Sequence, residues 1–141
     1  MICIIGGSGF VGTKLIASLN VNNCYNIDIN PSQSFNDFTA IGNICNPDQI
    51  KFSDKINTVV LLAAEHRDDV SPTNLYYKVN VDGTKNVLDK MDEVGAKHLI
   101  FTSSVAIYGL NKQNPNEDHP EDPFNHYGKS KWQAEEVIKD W

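Results

Sequence analysis

The segment Ile5-Gly6-Gly7-Ser8-Gly9-Phe10-Val11-Gly12 constrains this chain most, because it sets a glycine cluster between an apolar run and a helical one. Residues 1–5 are continuously apolar, the pattern of a strand buried on both faces. After the glycines, Val11, Leu15, Ile16 and Leu19 recur at helical spacing. The cluster matches G-x-x-G-x-x-G through Gly6, Gly9 and Gly12, and G-x-G-x-x-G through Gly7, Gly9 and Gly12. A sharp turn without Cβ atoms lets a pyrophosphate approach the backbone. The helix that follows offers unpaired N–H groups and its positive dipole end to that anion.

Glycine clusters alone are weak turn signals. The dinucleotide reading also needs an acidic residue about 20 positions on, at the end of the next strand. Asp28 stands there, 22 positions after Gly6, in the apolar run 24–29. Its carboxylate suits the adenosine ribose hydroxyls and would repel a 2′-phosphate, which favours NAD over NADP. The competing reading of Asp28 is a solvated strand-end carboxylate.

The rest of the chain repeats the alternation. Residues 32–38 read as a polar surface loop, with a weak strand ending near Ile41 and a short helix after Pro47. Residues 57–64 form another buried strand. Ser71-Pro72 suggests a helix start, serine as cap and proline in the first turn, with the helix running to Val94 and stopped by Gly95. Its expected stripe includes Val79, Val87, Leu88 and Met91. Residues 98–103 are the next buried strand, 109–125 a long polar loop. A final helix from Tyr127 sets Ala134, Ile138 and Trp141 on one face. Short apolar strands alternating with helices predict an α/β fold: a Rossmann-type, doubly wound parallel sheet in one domain, residues 1–141.

Charge excludes some partners. The 141 residues carry 12 basic and 18 acidic side chains, a net charge of −6, so neither nucleic acid nor an anionic membrane is an expected partner. The three cysteines, Cys3, Cys24 and Cys45, form no C-x-x-C pair and read as buried thiols, as in a cytoplasmic protein. The first residues do not read as a signal peptide and none is expected from them, and no apolar stretch approaches the roughly 20 residues of a membrane span. No metal is expected, since His66, His98, His119 and His126 lack ligand spacing. The acidic run Glu117, Asp118, Glu121 and Asp122 reads as a solvated face.

Tyr127-Gly128-Lys129-Ser130-Lys131 holds a second constellation, Y-x-x-x-K. Residues four apart on a helix share a face, so Tyr127 and Lys131 can serve one site. Ser103-Ser104 ends a strand, where open α/β sheets place ligands. Such a set has its own chemistry. A tyrosine can take the proton of an alcohol hydroxyl as hydride leaves the same carbon, with a lysine ammonium stabilising the phenolate. A serine can hydrogen-bond the substrate oxygen.

These motifs, with Asn43-Ile44, Leu62-Ala63-Ala64, Asn80-Val81-Asp82-Gly83-Thr84 and Thr102-Ser103-Ser104 with Tyr108-Gly109, occur in order along the chain. Together they resemble the extended short-chain dehydrogenase/reductases, the NAD-dependent epimerase/dehydratase family, and especially its nucleotide-sugar epimerases. The resemblance implies that Gly6, Gly9, Phe10, Val11 and Gly12 line the pyrophosphate. It puts Asp28 and Ile29 at the adenosine ribose, and Asn43 and Ile44 at the adenine. The family often has Asp at the position of Asn43. Leu62, Ala63 and Ala64 would pack along the cofactor, His66 falls at a cofactor-contacting basic position, and Asn80 lies toward the nicotinamide. His66 reads equally as a plain loop histidine, Asn80 as a helix-bending polar residue. Ser104, Tyr127 and Lys131 match the catalytic set, and Lys131 would also reach the nicotinamide ribose. The implied substrate is a nucleotide sugar and the implied assembly a homodimer.

Family members continue for a comparable length again, so the expectation is an N-terminal portion with later strands and the substrate domain missing, inactive alone as an epimerase. A dehydratase is disfavoured: Ser104 is followed by Val105-Ala106, where dehydratases carry an Asp-Glu pair for water elimination. Epimerase, dehydrogenase and reductase remain open. So do a ketoreductase of non-nucleotide substrates and a non-catalytic dinucleotide-binding module.

Overall fold

The computed structural model describes residues 1–141. Five parallel strands, β1 (Ile2–Ile5), β2 (Cys24–Asp28), β3 (Thr39–Ile41), β4 (Thr58–Leu61) and β5 (His98–Phe101), form one sheet in the order β3-β2-β1-β4-β5. The order reverses between β1 and β4, so the crevice at their carboxyl ends is the ligand position of such sheets. The helices are α1 (Phe10–Ser18), α2 (Asn74–Tyr77), α3 (Gly83–Val94) and α4 (His126–Asp140). This is the Rossmann-type α/β fold expected from the alternation of short apolar strands and helices.

The chain divides into two compact units, residues 1–63 with 86–102 and residues 64–85 with 103–141. The first holds the whole sheet. On one face Ile4, Cys24 and Val60 bury themselves with Ile16 of α1, and Ile2, Leu15, Leu19, Val21, Phe35 and Leu62 close around them. Cys3, Ile5, Ile27, Val59 and Leu61 point to the opposite face and are equally buried, and Val87, Leu88 and Met91 form the buried stripe of α3. Burial pushes the Cys3 thiol up, so it stays a protonated core residue. Cys24 is also buried, whereas Cys45 is half-buried rather than a core thiol.

Several local expectations are corrected. Residues 71–94 are not one helix capped by Ser71: α2 starts three residues later, after Thr73, and a π-helical segment, Lys78–Asp82, separates it from α3. Within that segment the Asn80 side chain turns to the backbone of Glu65, and the Asn80 carbonyl accepts from the Thr84 hydroxyl at 2.7 Å. β4 ends at Leu61 rather than Ala64, because the N–H groups of Leu62 and Ala63 both converge on the Ile5 carbonyl. β5 is the sheet's edge rather than a buried strand, with Ile100 55% exposed. Val11 is exposed and Gly12 takes its place on the buried stripe of α1. Ser32 is buried, not part of a solvated loop, and its hydroxyl accepts from the Phe35 N–H. Trp141 lies off the buried face of α4, 45% exposed, whereas Ala134 is fully buried.

Candidate functional site

The first unit carries the glycine loop. Gly6 turns the chain out of β1 with φ +87°, and a Cβ there would stand 2.6 Å from the Ala63 nitrogen, so loop and β4 end touch backbone to backbone. The loop's first donors are already used. Gly6 N–H donates to the Ile27 carbonyl at 2.8 Å, Gly7 N–H to Asn26 Oδ1 at 2.9 Å, and Ser8 N–H to Asp28 Oδ2 at 2.9 Å. Gly9 caps α1 through its backbone alone, its carbonyl accepting from Thr13 N–H. The N–H groups of Phe10, Val11 and Gly12 belong to the first helical turn, which has no intrahelical acceptor for them. Phe10 is 82% exposed and Val11 is exposed beside it.

The glycines differ in what they make room for. A Cβ on Gly12 would stand 2.3 Å from the Gly7 Cα, so that glycine is required by packing within the loop. Around Gly9 the nearest atom to an added Cβ is the Gly6 carbonyl oxygen, at an ordinary 3.6 Å. No protein atom demands a glycine at position 9. Open space over the unpaired N–H groups of a helix start fits a pyrophosphate approaching the backbone.

Asp28 is buried at the end of β2 and is more than a solvated carboxylate: Oδ2 holds Ser8 and Oδ1 accepts from Asn30 N–H at 2.9 Å. Ile29 is exposed beside it. Gly42 N–H donates to the Asp28 carbonyl, so Asn43 follows just past the β2–β3 ladder. The Asn43 side chain turns locally to Cys45 N–H, and Ile44 is a core residue whose carbonyl accepts from Asn86. Leu62 and Ala63 lie half-buried against Gly6.

The second unit carries Ala64, His66, Asn80, Ser104, Tyr127 and Lys131. Asn125 caps α4, its Oδ1 accepting from Gly128 N–H at 2.8 Å. Gly128 seats the helix start on the 3₁₀ turn Val105–Tyr108, since a Cβ there would lie 2.6 Å from the Ala106 carbonyl oxygen. Ser104 caps that same turn by accepting from Ala106 N–H. The seating therefore joins the segment bearing Ser104 to the first turn of α4, where Tyr127 and Lys131 are one turn apart. Tyr127 is half-buried, and Lys131 is 2% exposed. Burial pushes the Lys131 amine down to about 8, against the opposing pull of the Glu135 carboxylate.

Asn80 is braced on three sides. Its Oδ1 accepts from Glu65 N–H, and its Nδ2 donates to the Glu65 carbonyl and to Ser130 Oγ at 2.9 Å. Ser130 in turn donates to the Tyr127 carbonyl. Those bonds tie Asn80 to the helix that carries Tyr127. His66 is exposed.

Sequence reasoning missed Asn26, a polar residue inside an apolar strand that serves the loop, and Glu135, which hydrogen-bonds Ser103. An amide between Tyr25 and Ile27, inside a strand, is a legible signal for the first. Glu135 follows Lys131 at i, i+4, the ordinary spacing of surface ion pairs, and so gives none.

A parallel sheet of this order, with a glycine turn leading to a helix start and an acidic residue closing β2, defines a Rossmann-type dinucleotide-binding fold. The model of the NAD-dependent epimerase/dehydratase family matches residues 2–141, and the chain belongs to that family. It is 57% identical, over 99% of its length and 43% of the relative's, to N-acetyl-alpha-D-glucosaminyl-diphospho-ditrans,octacis-undecaprenol 4-epimerase of Escherichia coli O157:H7. A short-chain dehydrogenase/reductase superfamily protein from Agrobacterium tumefaciens, solved with bound NAD, superposes with a TM-score of 0.86 at 27% identity. That match covers 99% of this chain and 44% of the other. UDP-glucose 4-epimerase from Brucella ovis in complex with NAD gives 0.80 at 25% identity, covering 99% and 46%. The chain thus spans less than half the length of these relatives. No helix is long and apolar enough to cross a membrane.

Proposed function

We propose that this chain binds NAD and supplies the cofactor-binding and proton-transferring residues of a sugar 4-epimerase whose substrate carries its sugar on a diphosphate. The observation that carries the reading is the open space at Gly9 above the first-turn N–H groups of α1, with Asp28 fixed at the end of β2. Phe10, Val11 and Gly12 would hold the pyrophosphate and Asp28 the adenosine ribose. The nicotinamide, when bound, supplies a reversible two-electron acceptor for the sugar carbon.

The chain's own residues do the acid–base work. Tyr127 accepts the proton of the sugar hydroxyl and later returns it to the same oxygen. Ser104 donates a hydrogen bond to that oxygen. With an amine pushed down only to about 8, Lys131 is still largely an ammonium at neutral pH and stabilises the phenolate. The 57% identity to an epimerase of a polyprenyl-diphosphate sugar supports a lipid-linked carrier, and the likeness to UDP-glucose 4-epimerases supports a nucleotide one. The common element is an N-acetylhexosamine or hexose on a diphosphate.

The test takes a protein of the relatives' full length that contains this chain, supplies NAD with UDP-linked and, separately, polyprenyl-diphosphate-linked N-acetylglucosamine, and follows inversion at C4 by NMR. The expected result is conversion of one of them, lowered about a thousandfold by Tyr127→Phe. Tight NAD binding without conversion of either, or an unaffected Tyr127→Phe, contradicts the epimerase reading.

A further inference from the structure

Asn26 is 1% exposed in the middle of β2, in register with Ile4 of β1, on the face that α1 covers. A carboxamide is costly there unless every polar atom is satisfied, and an apolar side chain would suit the sheet better. Each of its atoms is committed. Oδ1 accepts from Gly7 N–H at 2.9 Å, and Nδ2 donates to Ser8 Oγ at 3.2 Å and to Thr39 Oγ1 at 3.0 Å. The direction of those bonds is fixed by their partners. Ser8 Oγ gives its own proton to the Asn30 carbonyl and Thr39 Oγ1 gives its proton to the Phe35 carbonyl, so both hydroxyls can only accept from Asn26.

The network also explains Gly7. A Cβ there would stand 2.3 Å from Asn26 Oδ1, so the absence of a side chain at this position serves the asparagine. Asn26, Asp28 and Asn30 alternate along β2 and its continuation, and all three hold Gly7 or Ser8. By occupying the N–H groups of residues 7 and 8, these bonds leave the donors of residues 10–12 to face an anion.

We propose that Asn26 is a positioning residue for dinucleotide binding. It fixes Gly7 and Ser8 so that the N–H groups of Phe10, Val11 and Gly12 stand ready before the pyrophosphate arrives, which spares the ligand the cost of ordering the loop. The proposal rests on the NAD reading above and adds to it the residue that presets the loop.

The test compares parent, Asn26→Leu and Thr39→Val. NAD, ADP and adenosine are titrated separately, and amide exchange of Gly7 and Ser8 is followed by NMR in the absence of nucleotide. In folded Asn26→Leu, NAD and ADP should bind roughly tenfold more weakly while adenosine is unaffected, and the Gly7 amide should exchange faster. A merely structural role would weaken adenosine by the same factor as NAD. That equal loss, or unchanged NAD affinity in a folded variant, overturns the proposal. Should Asn26→Leu fail to fold, Thr39→Val decides. Removing one acceptor of the Asn26 amide should weaken NAD by about threefold, again sparing adenosine, and an unselective or absent effect overturns it. A parent protein that binds no NAD fails the underlying reading first, an outcome distinct from an Asn26 variant that binds as the parent does.

Discussion

Gly9→Val should keep the fold and weaken NAD binding by about a hundredfold, roughly 2.7 kcal/mol. Gly9 has φ −75° and ψ −179°, an extended backbone that valine adopts readily. Its added Cβ meets only the Gly6 carbonyl oxygen, at 3.6 Å. The thermal midpoint should therefore move by no more than about 2 °C. The branched side chain would instead stand over the first-turn N–H groups of α1 and hold a pyrophosphate away from several charge-assisted hydrogen bonds. Gly12→Ala is the contrasting case: its Cβ would be driven to 2.3 Å from the Gly7 Cα, so it should cost about 1–3 kcal/mol of stability with or without ligand. Calorimetric titration and thermal melts of both variants separate room left for a ligand from room needed by the chain. A Gly9→Val protein that binds NAD as tightly as the parent would move the pyrophosphate elsewhere.

Lys131→Met should abolish turnover in a protein of the relatives' full length and make this chain more stable at neutral pH. Burial lowers the Lys131 amine from 10.5 to about 8. The folded state therefore disfavours the ammonium by about 3 kcal/mol relative to the unfolded chain. Below pH 8 the amine is charged in both states and the penalty is complete. Between about 8 and 10.5 the unfolded chain binds the extra proton, so the parent gains stability as pH rises through that window. Methionine has nothing to titrate. Its advantage, up to about 3 kcal/mol at pH 7, should shrink to nothing near pH 10.5. Urea melts across pH 7–10.5 check this, and a stability gap that does not close with pH would show that the buried amine is fully compensated. A residue kept at such a cost is expected where function needs a charge.

The sheet was legible because its strands are short, apolar and separated by helical spacing, whereas the strand order that sets the switch point is seen only in the fold. The glycine loop was legible because backbone approach forces glycine at fixed offsets. Four features were hidden for physical reasons. The π segment at Lys78–Asp82 centres on Asn80, whose side chain bonds to the distant backbone of Glu65, a contact that no periodicity reports. The cap position expected at Ser71 falls at Thr73, two residues later and without a side-chain cap bond, since N-cap preferences fix a residue type but not the first helical turn. Val11 fits the apolar stripe by spacing, yet it is exposed at the mouth of the loop, where an apolar side chain covers no core. Burial of Lys131 was likewise invisible, because Y-x-x-x-K on a helix reads as a solvated face until Ala134, Ser130 and Gly128 are seen packed around that turn.

The most direct measurement is calorimetric titration of the purified protein with NAD and with NADP at fixed ionic strength. Saturable binding of NAD at one site, with NADP at least about tenfold weaker because Asp28 meets its 2′-phosphate, is the expected result. No heat at saturating NAD, or equal affinity for the two dinucleotides, would contradict the assignment of the glycine loop and Asp28 as the cofactor's seat.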